Sequence, residues 1–255
     1  VRLALRLAAW TAIVGCVATS EHDTNGDGVL SKSEVTAGEQ CGVFPSSHLC
    51  AAYLDYTIIV DNSYSLKDRV PMISKFLHRF VDKFATTDET LSPRLSIVQF
   101  AGCVGCTVGQ SAQVIVPLTT DLDQVRAAID RRPEPTSAMR YTCISCGLTI
   151  AHQMGQHFNR GSKPLMLLLT DGEQTVRGGD QAALAAAEAV KADGVTVFTL
   201  SMGDANAFTM DGMASQPAEV FSRSVAEQEQ ALLDEVDEIM PTLCADSVYA
   251  CYMES

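Results

Sequence analysis

Beyond residue 50 the chain alternates two kinds of apolar pattern. Residues 56–60, 165–169 and 195–200 are short runs in which nearly every position is apolar or β-branched. Runs of that length without polar alternation are strands buried on both faces, as in the middle of a parallel sheet. Between them, Val70, Ile73, Phe76, Leu77, Phe80, Val81 and Phe84 recur at helical spacing. Pro71 fits the first turn of that helix. Residues 95–101 and 113–118 predict two strands joined by a turn bearing cysteine and glycine, hence a hairpin. Thr120 is expected to cap a helix reaching Asp130, with Asp123 at its third position. Residues 147–157 and the alanine-rich 182–192, stopped by Gly194, predict two more helices. Residues 219–223 read as a shorter strand. Residues 226–240 read as a last helix that Pro241 ends.

This alternation predicts an α/β fold. The sheet is expected to be open, doubly wound and mostly parallel, with about six strands, one antiparallel edge strand and helices on both faces. Ligands of such sheets bind at the carboxyl ends of strands. Two of the buried runs end there in an acid, Asp61 and Asp171.

Composition narrows the function classes. The 255 residues are 47% apolar, enough for one domain of about 200 residues and a small appendage. A net charge of −13, from 31 acids and 18 bases, argues against a nucleic-acid partner. No run in the body reaches the roughly 18 apolar residues of a membrane span. At the N-terminus, Arg2 and Arg6 precede an apolar run over residues 7–14, the pattern of a secretory signal. Ile13-Val14-Gly15-Cys16 is similar to a bacterial lipoprotein cleavage box in which Cys16 is lipidated. An ordinary signal cut near Ala18 is the alternative. Residues 1–20 are therefore assigned as a signal, and any membrane attachment is expected through that end. Setting Cys16 aside leaves an even set of cysteines: Cys41, Cys50, Cys103, Cys106, Cys143, Cys146, Cys244 and Cys251. Disulfides persist outside a reducing cytosol, so these agree with an extracellular, cell-surface or periplasmic location.

The run ending at Asp61 continues Asp61-Asn62-Ser63-Tyr64-Ser65, the pattern D-x-S-x-S. Leu169-Thr170-Asp171-Gly172 follows the fourth predicted strand, and Val195-Thr196-Val197-Phe198-Thr199 runs on toward Gly203. On these residues the chain, over about 53–243, resembles a von Willebrand factor type A domain with its metal-ion-dependent adhesion site. The loop from Asp61 to Asp68 is also locally similar to integrin β subunits, which read D-x-S-x-S-x-x-D-D. Arg69 stands where those carry the last acid, a departure from their second, adjacent metal site. The resemblance implies that Ser63 and Ser65 ligate an ion directly and that Asp61 and Asp171 bind it directly or through water. It also implies a threonine from the loop before the third helix. Thr142, five residues before Gly147, is the candidate, with Thr136 and Glu134 as alternatives. The implied ion is Mg²⁺ or Mn²⁺. Mg²⁺ takes about six oxygens at about 2.1 Å and keeps several waters. Two carboxylates and neutral hydroxyls leave a position that an Asp or Glu of a protein partner can fill.

Residues 23–34 match a twelve-residue EF-hand loop for Ca²⁺. Asp23, Asn25 and Asp27 hold positions one, three and five, and Gly28 the sharp turn. Val29 offers its carbonyl, Ser31 a water-bridged contact and Glu34 a bidentate carboxylate. The expected domains are thus 21–50 for this segment, 51–245 for the type A domain and 246–255 for a tail. The two C-x-x-C pairs could each close on themselves, bridge their two loops, or bind zinc. Their separation far exceeds the roughly 15–20 residues of the usual zinc signature. Cys41, Cys50, Cys244 and Cys251 flank the domain and could staple its ends. No G-x-S-x-G elbow, phosphate loop or H-E-x-x-H helix is present, so no enzyme is expected. His152 and His157 do not share a helix face and read as surface residues. The reading that follows is an exported adhesion or protein-binding module. A scaffold subunit without a metal-dependent ligand, or an intracellular zinc protein, are the alternatives.

Overall fold

The computed structural model describes residues 54–84, 93–155, 163–176, 178–203 and 205–245, and the backbone of a two-residue ladder, Val14–Gly15 against Gly42–Val43. Cys16, the loop at 23–34, Cys41, Cys50, Cys251, His157 and the side chain of Cys244 lie outside the described residues.

Six strands form one sheet: β1 (Leu54–Asp61), β2 (Arg94–Phe100), β3 (Ala112–Thr119), β4 (Lys163–Thr170), β5 (Thr196–Met202) and β6 (Ser222–Val225). Their order is β3-β2-β1-β4-β5-β6, and only β3 runs antiparallel, against β2 at one edge. The expected hairpin, with the one-turn α2 (Val108–Ser111) in its connection, and the expected doubly wound sheet are both present. β1 is central and buried at every position. Its alternate residues Tyr56, Ile58 and Val60 join one core and Ile59 the other. The first core receives α1 (Val70–Asp82), α3 (Leu122–Asp130) and α8 (Glu229–Ala245), through Phe76, Val125 and Leu232. The second receives α4 (Ile144–Gly155), α5 (Gly179–Ala192) and α6 (Ala207–Met213), through Leu148, Ala183 and Met210. Each Leu or Phe buried there contributes about 1.5–3 kcal/mol. Gly147 lets α4 lie close on the sheet, because a Cβ there would meet Phe100 at 2.8 Å and Ile59 at 2.9 Å. Among the described residues no helix is long and apolar enough to cross a membrane.

Several element boundaries differ from the pattern-based reading. The cap of α3 is Asp121, not Thr120; its carboxylate accepts from the backbone N–H groups of Asp123 and Gln124. α4 begins at Ile144, three residues before Gly147, and the Cys143–Cys146 disulfide ties the residue before it to its first turn. The strand expected at 219–223 begins three residues later. Pro217 opens a single helical turn, α7 (Ala218–Phe221), and the strand follows at Ser222, where its edge meets Thr199. α8 runs on through Pro241. The Tyr56 hydroxyl donates to the carbonyl of Leu243 at 2.9 Å, and Leu243 is buried, so tertiary contact carries the helix past the proline.

Candidate functional site at the carboxyl end of the sheet

β1 is followed in sequence by β2 on one side and later by β4 on the other. The gap between the carboxyl ends of β1 and β4 is therefore the switch point of the sheet, where a crevice opens. Asp61 closes β1, and Asp171 follows the last residue of β4. The two acids, 110 positions apart, meet here because their strands are parallel neighbours.

The loop after β1 turns at once into a 3₁₀ helix, Tyr64–Arg69. The Asp61 Oδ1 accepts the N–H of Ser63 at 2.7 Å, which folds the loop back over the carboxylate. Its Oδ2 accepts the buried Thr170 hydroxyl at 2.6 Å. Ser63 and Ser65, one turn position apart, bring their hydroxyl oxygens to 2.9 Å, and Ser65 donates to Asp171 Oδ1 at 3.2 Å. Two oxygens on one edge of an octahedron of radius about 2.1 Å lie about 3.0 Å apart. The Ser63, Ser65 and Asp171 oxygens have that spacing, and the two carboxylates supply hard anionic donors. The donor set fits a small divalent cation.

The electrostatics point the same way. Asp61 is 1% exposed, and among the described residues no basic side chain forms an ion pair with it. Burial pushes its carboxyl from the usual 3.8 up to about 7, against the hydrogen bond from Thr170, and the charge of Asp171 adds to the rise. Burial also raises Asp171, while Ser65 and Arg69 pull it down. Two desolvated carboxylates on one crevice repel each other, and a cation between them relieves both penalties.

Arg69 reaches across the site. Its guanidinium donates to Asp171 Oδ2 at 2.8 Å and pairs with Glu227 in the loop after β6. This pairing leaves Asp171 Oδ1 facing Ser65. Thr142 lies in the loop before α4, with its N–H bonded to the Thr175 hydroxyl and its carbonyl accepting from the Thr175 N–H at 3.0 Å. The loop is thus seated beside that of Asp171, but the hydrogen bonds that join Asp61, Ser63, Ser65 and Asp171 do not include Thr142. The alternatives, Glu134 and Thr136, line a cavity shared with Asn62. Each C-x-x-C pair closes on itself, Cys103 with Cys106 and Cys143 with Cys146. Among the described residues no three His, Cys, Asp or Glu side chains converge as a metal cage. His152 bonds Asp193 at 2.8 Å at the opposite end of the sheet.

Three contributors escape the motif. Thr170 directly precedes the expected acid, and its place in the strand's inward-facing pattern was a usable signal. Arg69 carries no signal for its pairing. Arg132 is 6% exposed, and its three guanidinium nitrogens have no hydrogen-bond partner in the protein. Burial lowers it to about 10, while Glu134 and Asp61 pull it upward. Nothing in its local sequence announces burial.

Comparisons agree with this geometry. Solved structures of similar fold include proximal thread matrix protein 1 from the mussel byssus, at a TM-score of 0.64 and 19% identity. This chain aligns over 76% of its own length and 49% of that protein's. A further structure of the thread protein has a zinc-occupied MIDAS motif. The pilus adhesin SpaC from Lactobacillus rhamnosus GG matches at 0.61 and 14% identity, over 77% of this chain and 30% of that one. BatB from Bacteroides thetaiotaomicron matches at 0.57 and 19% identity, over 76% of this chain and 100% of that one. The chain thus spans about half of the thread protein and under a third of the adhesin. The family model for the von Willebrand factor type A domain matches residues 55–238, and the chain belongs to that family.

Proposed function

We propose that this domain binds a partner protein through a divalent ion, Mg²⁺ or Mn²⁺, held by Asp61, Ser63, Ser65 and Asp171, with Thr142 as the loop ligand. The ion supplies an open coordination position for an Asp or Glu carboxylate of the partner. The chain's own residues set the geometry: Thr170 and the Ser63 N–H orient Asp61, and Arg69 turns Asp171 toward Ser65. The observation that carries this reading is the buried Asp61 carboxylate, which has hydroxyl and amide donors but no ion pair, beside a second carboxylate. The role is binding rather than catalysis. An extracellular or surface location, by secretion or by a lipid on Cys16, is part of the proposal. It draws support from the fold shared with a byssal matrix protein and a pilus adhesin.

Residues 23–34 are proposed as a Ca²⁺ site on their EF-hand pattern. Glu34→Gln is expected to weaken calcium binding and leave magnesium binding unchanged. Calorimetry finding equal calcium affinity in the variant would remove that assignment.

The test of the main reading is a pull-down from native extract or surface fractions, with Mg²⁺ and with EDTA, using the parent, Asp61→Ala and Asp171→Ala. A partner retained only by the parent in Mg²⁺ supports it; equal recovery in all arms overturns it. A second reading is favoured by the Arg69–Asp171 pair, since that guanidinium already neutralises one acid from within. In it the domain is a scaffold subunit, and no ion-dependent partner exists. Failure of the parent to bind Mg²⁺ in calorimetry selects that reading.

A further inference from the structure

Mg²⁺ tolerates little error in the placement of its oxygens, so each proposed ligand needs something to hold it. Asp61, Ser63 and Ser65 come from one loop, and hydrogen bonds of that loop fold it on Asp61 and join it to Asp171. Thr142 shares in none of these bonds; what ties it down is its backbone. Its N–H donates to the Thr175 hydroxyl at 2.8 Å, and its carbonyl accepts the N–H groups of Thr175 at 3.0 Å and Val176 at 3.4 Å. One segment thus grips the residue on both sides, and that segment begins at Asp171.

The segment is itself pinned from several directions. The Gln174 side chain, 5% exposed, accepts the N–H of Ser145 at 2.7 Å, which satisfies one of the free donors in the first turn of α4. The Gln174 N–H donates to Asp180 Oδ1 at 3.0 Å, and Asp180 Oδ2 accepts the Thr209 hydroxyl at 2.7 Å, so α5 and α6 back the segment. Beyond the end of β2, the Gly102 carbonyl accepts the Tyr141 N–H at 3.0 Å. A Cβ at Gly102 would meet Val176 Cγ1 at 2.7 Å and the backbone carbon of Tyr141 at 3.1 Å. Glycine lets these three stretches of chain close up there.

We infer that Thr175, with Gln174 behind it, is the positioning residue for Thr142 at the ion site. This rests on the adhesion reading above, in which Thr142 is the loop ligand. The ion is then held by two units rather than by three independent loops. One unit is the loop of Asp61, Ser63 and Ser65. The other is Asp171 and Thr142, locked together through Thr175. A hydroxyl residue suits that place: its side chain accepts the Thr142 N–H while its own N–H donates to the Thr142 carbonyl, two bonds from one residue. Thr175 is exposed, so a substitution there alters the clamp without opening a hole in the core.

The experiment measures Mg²⁺ affinity of the full chain by calorimetry, with circular dichroism to confirm that each variant is folded. Thr175→Val replaces the clamping hydroxyl by a methyl group and keeps the Thr142 side chain. Thr142→Val removes the hydroxyl ligand and keeps the backbone that Thr175 grips. Thr175→Val is expected to bind Mg²⁺ at least about tenfold more weakly, as for a residue that orients a metal ligand, and Thr175→Ser to restore parental affinity. In the Thr142→Val background, Thr175→Val is expected to add no further loss, because the clamp then has no ligand to place. Gln174→Leu removes the acceptor for Ser145 and guards against Thr175→Val failing to fold; it is expected to weaken Mg²⁺ several-fold, again only while Thr142 is present. Parental affinity in the folded Thr175→Val and Gln174→Leu variants overturns the inference. So does an equal further loss in the Thr142→Val background, or a loss in Thr175→Ser as large as in Thr175→Val. A parent that binds no Mg²⁺ removes the adhesion reading and the inference with it. A parent that binds Mg²⁺ beside an inert Thr175 removes only the inference.

Discussion

β1 carries a buried carboxylate at each end, and the two are treated in opposite ways. Asp55 opens the strand and is 4% exposed; Asp61 closes it and is 1% exposed. Arg94, at the start of the neighbouring strand, grips Asp55 with both Nε, at 2.7 Å, and Nη2. Asp61 has only a hydroxyl and an amide. The first charge is paired within the protein, and under the proposed function the second is left to an ion. Under the proposed function the same strand, buried to the same degree, would be a structural element at one end and a binding element at the other. The difference lies in whether a basic side chain grips the carboxylate directly.

The sharpest break of this comparison is Asp55→Ala. Removing Asp55 takes away the two charge-assisted hydrogen bonds to Arg94, and the expected loss is about 1.5–3 kcal/mol of stability. Urea denaturation measures it, and magnesium affinity of the protein that remains folded should not move. Asp61→Asn should do the reverse. Magnesium binding by calorimetry is expected to fall by roughly a hundredfold or more, while stability at neutral pH does not decrease, since a desolvated charge is removed.

The pH dependence follows from the same carboxylate. Folding raises Asp61 from 3.8 to about 7, so the folded chain binds this proton more tightly than the unfolded one. The stabilising contribution is whole below 3.8, is lost as pH climbs toward 7 and stays lost above it. Metal-free protein should therefore lose stability across that window. Magnesium affinity should rise across it, because proton and ion compete for one group. Denaturation with EDTA and with Mg²⁺ at several pH values checks both directions, and a flat profile in EDTA would refute the assignment.

Smaller effects sharpen the comparison. Arg69→Met removes a partly exposed cation from Asp171, so magnesium should bind about three- to tenfold more tightly, with the gain shrinking at high salt. Lys75→Met breaks an exposed pair with Glu229 at 2.7 Å. It should cost under about 0.5 kcal/mol and leave ion binding alone.

Legibility in the sequence followed locality. The strand at 165–169 announced itself because both its faces are covered, and the D-x-S-x-S loop because three oxygen donors fit within five residues. The strand Ser222–Val225 was read three residues early, because an edge strand needs little apolar character, while the apolar Val220 and Phe221 beside it belong to a helical turn. Pro241 read as a stop because its local rule ignores the hold of Tyr56 on Leu243. At the site, the grip of Arg69 on Asp171 spans 102 positions and that of Thr170 on Asp61 spans 109, and no local pattern encodes either. Arg132 is buried by neighbours brought by the fold.

The bond from Tyr56 to Leu243 joins positions 187 apart, so the domain's entry and exit lie side by side, at the end of the sheet away from Asp61. Under the proposed function, a tether upstream of β1 would leave from the end opposite the ion site. A pull between them runs lengthwise along β1, which is laddered in parallel to β2 and to β4. Such a load shears two rows of hydrogen bonds at once instead of unzipping them singly, the arrangement in which a sheet resists tension best.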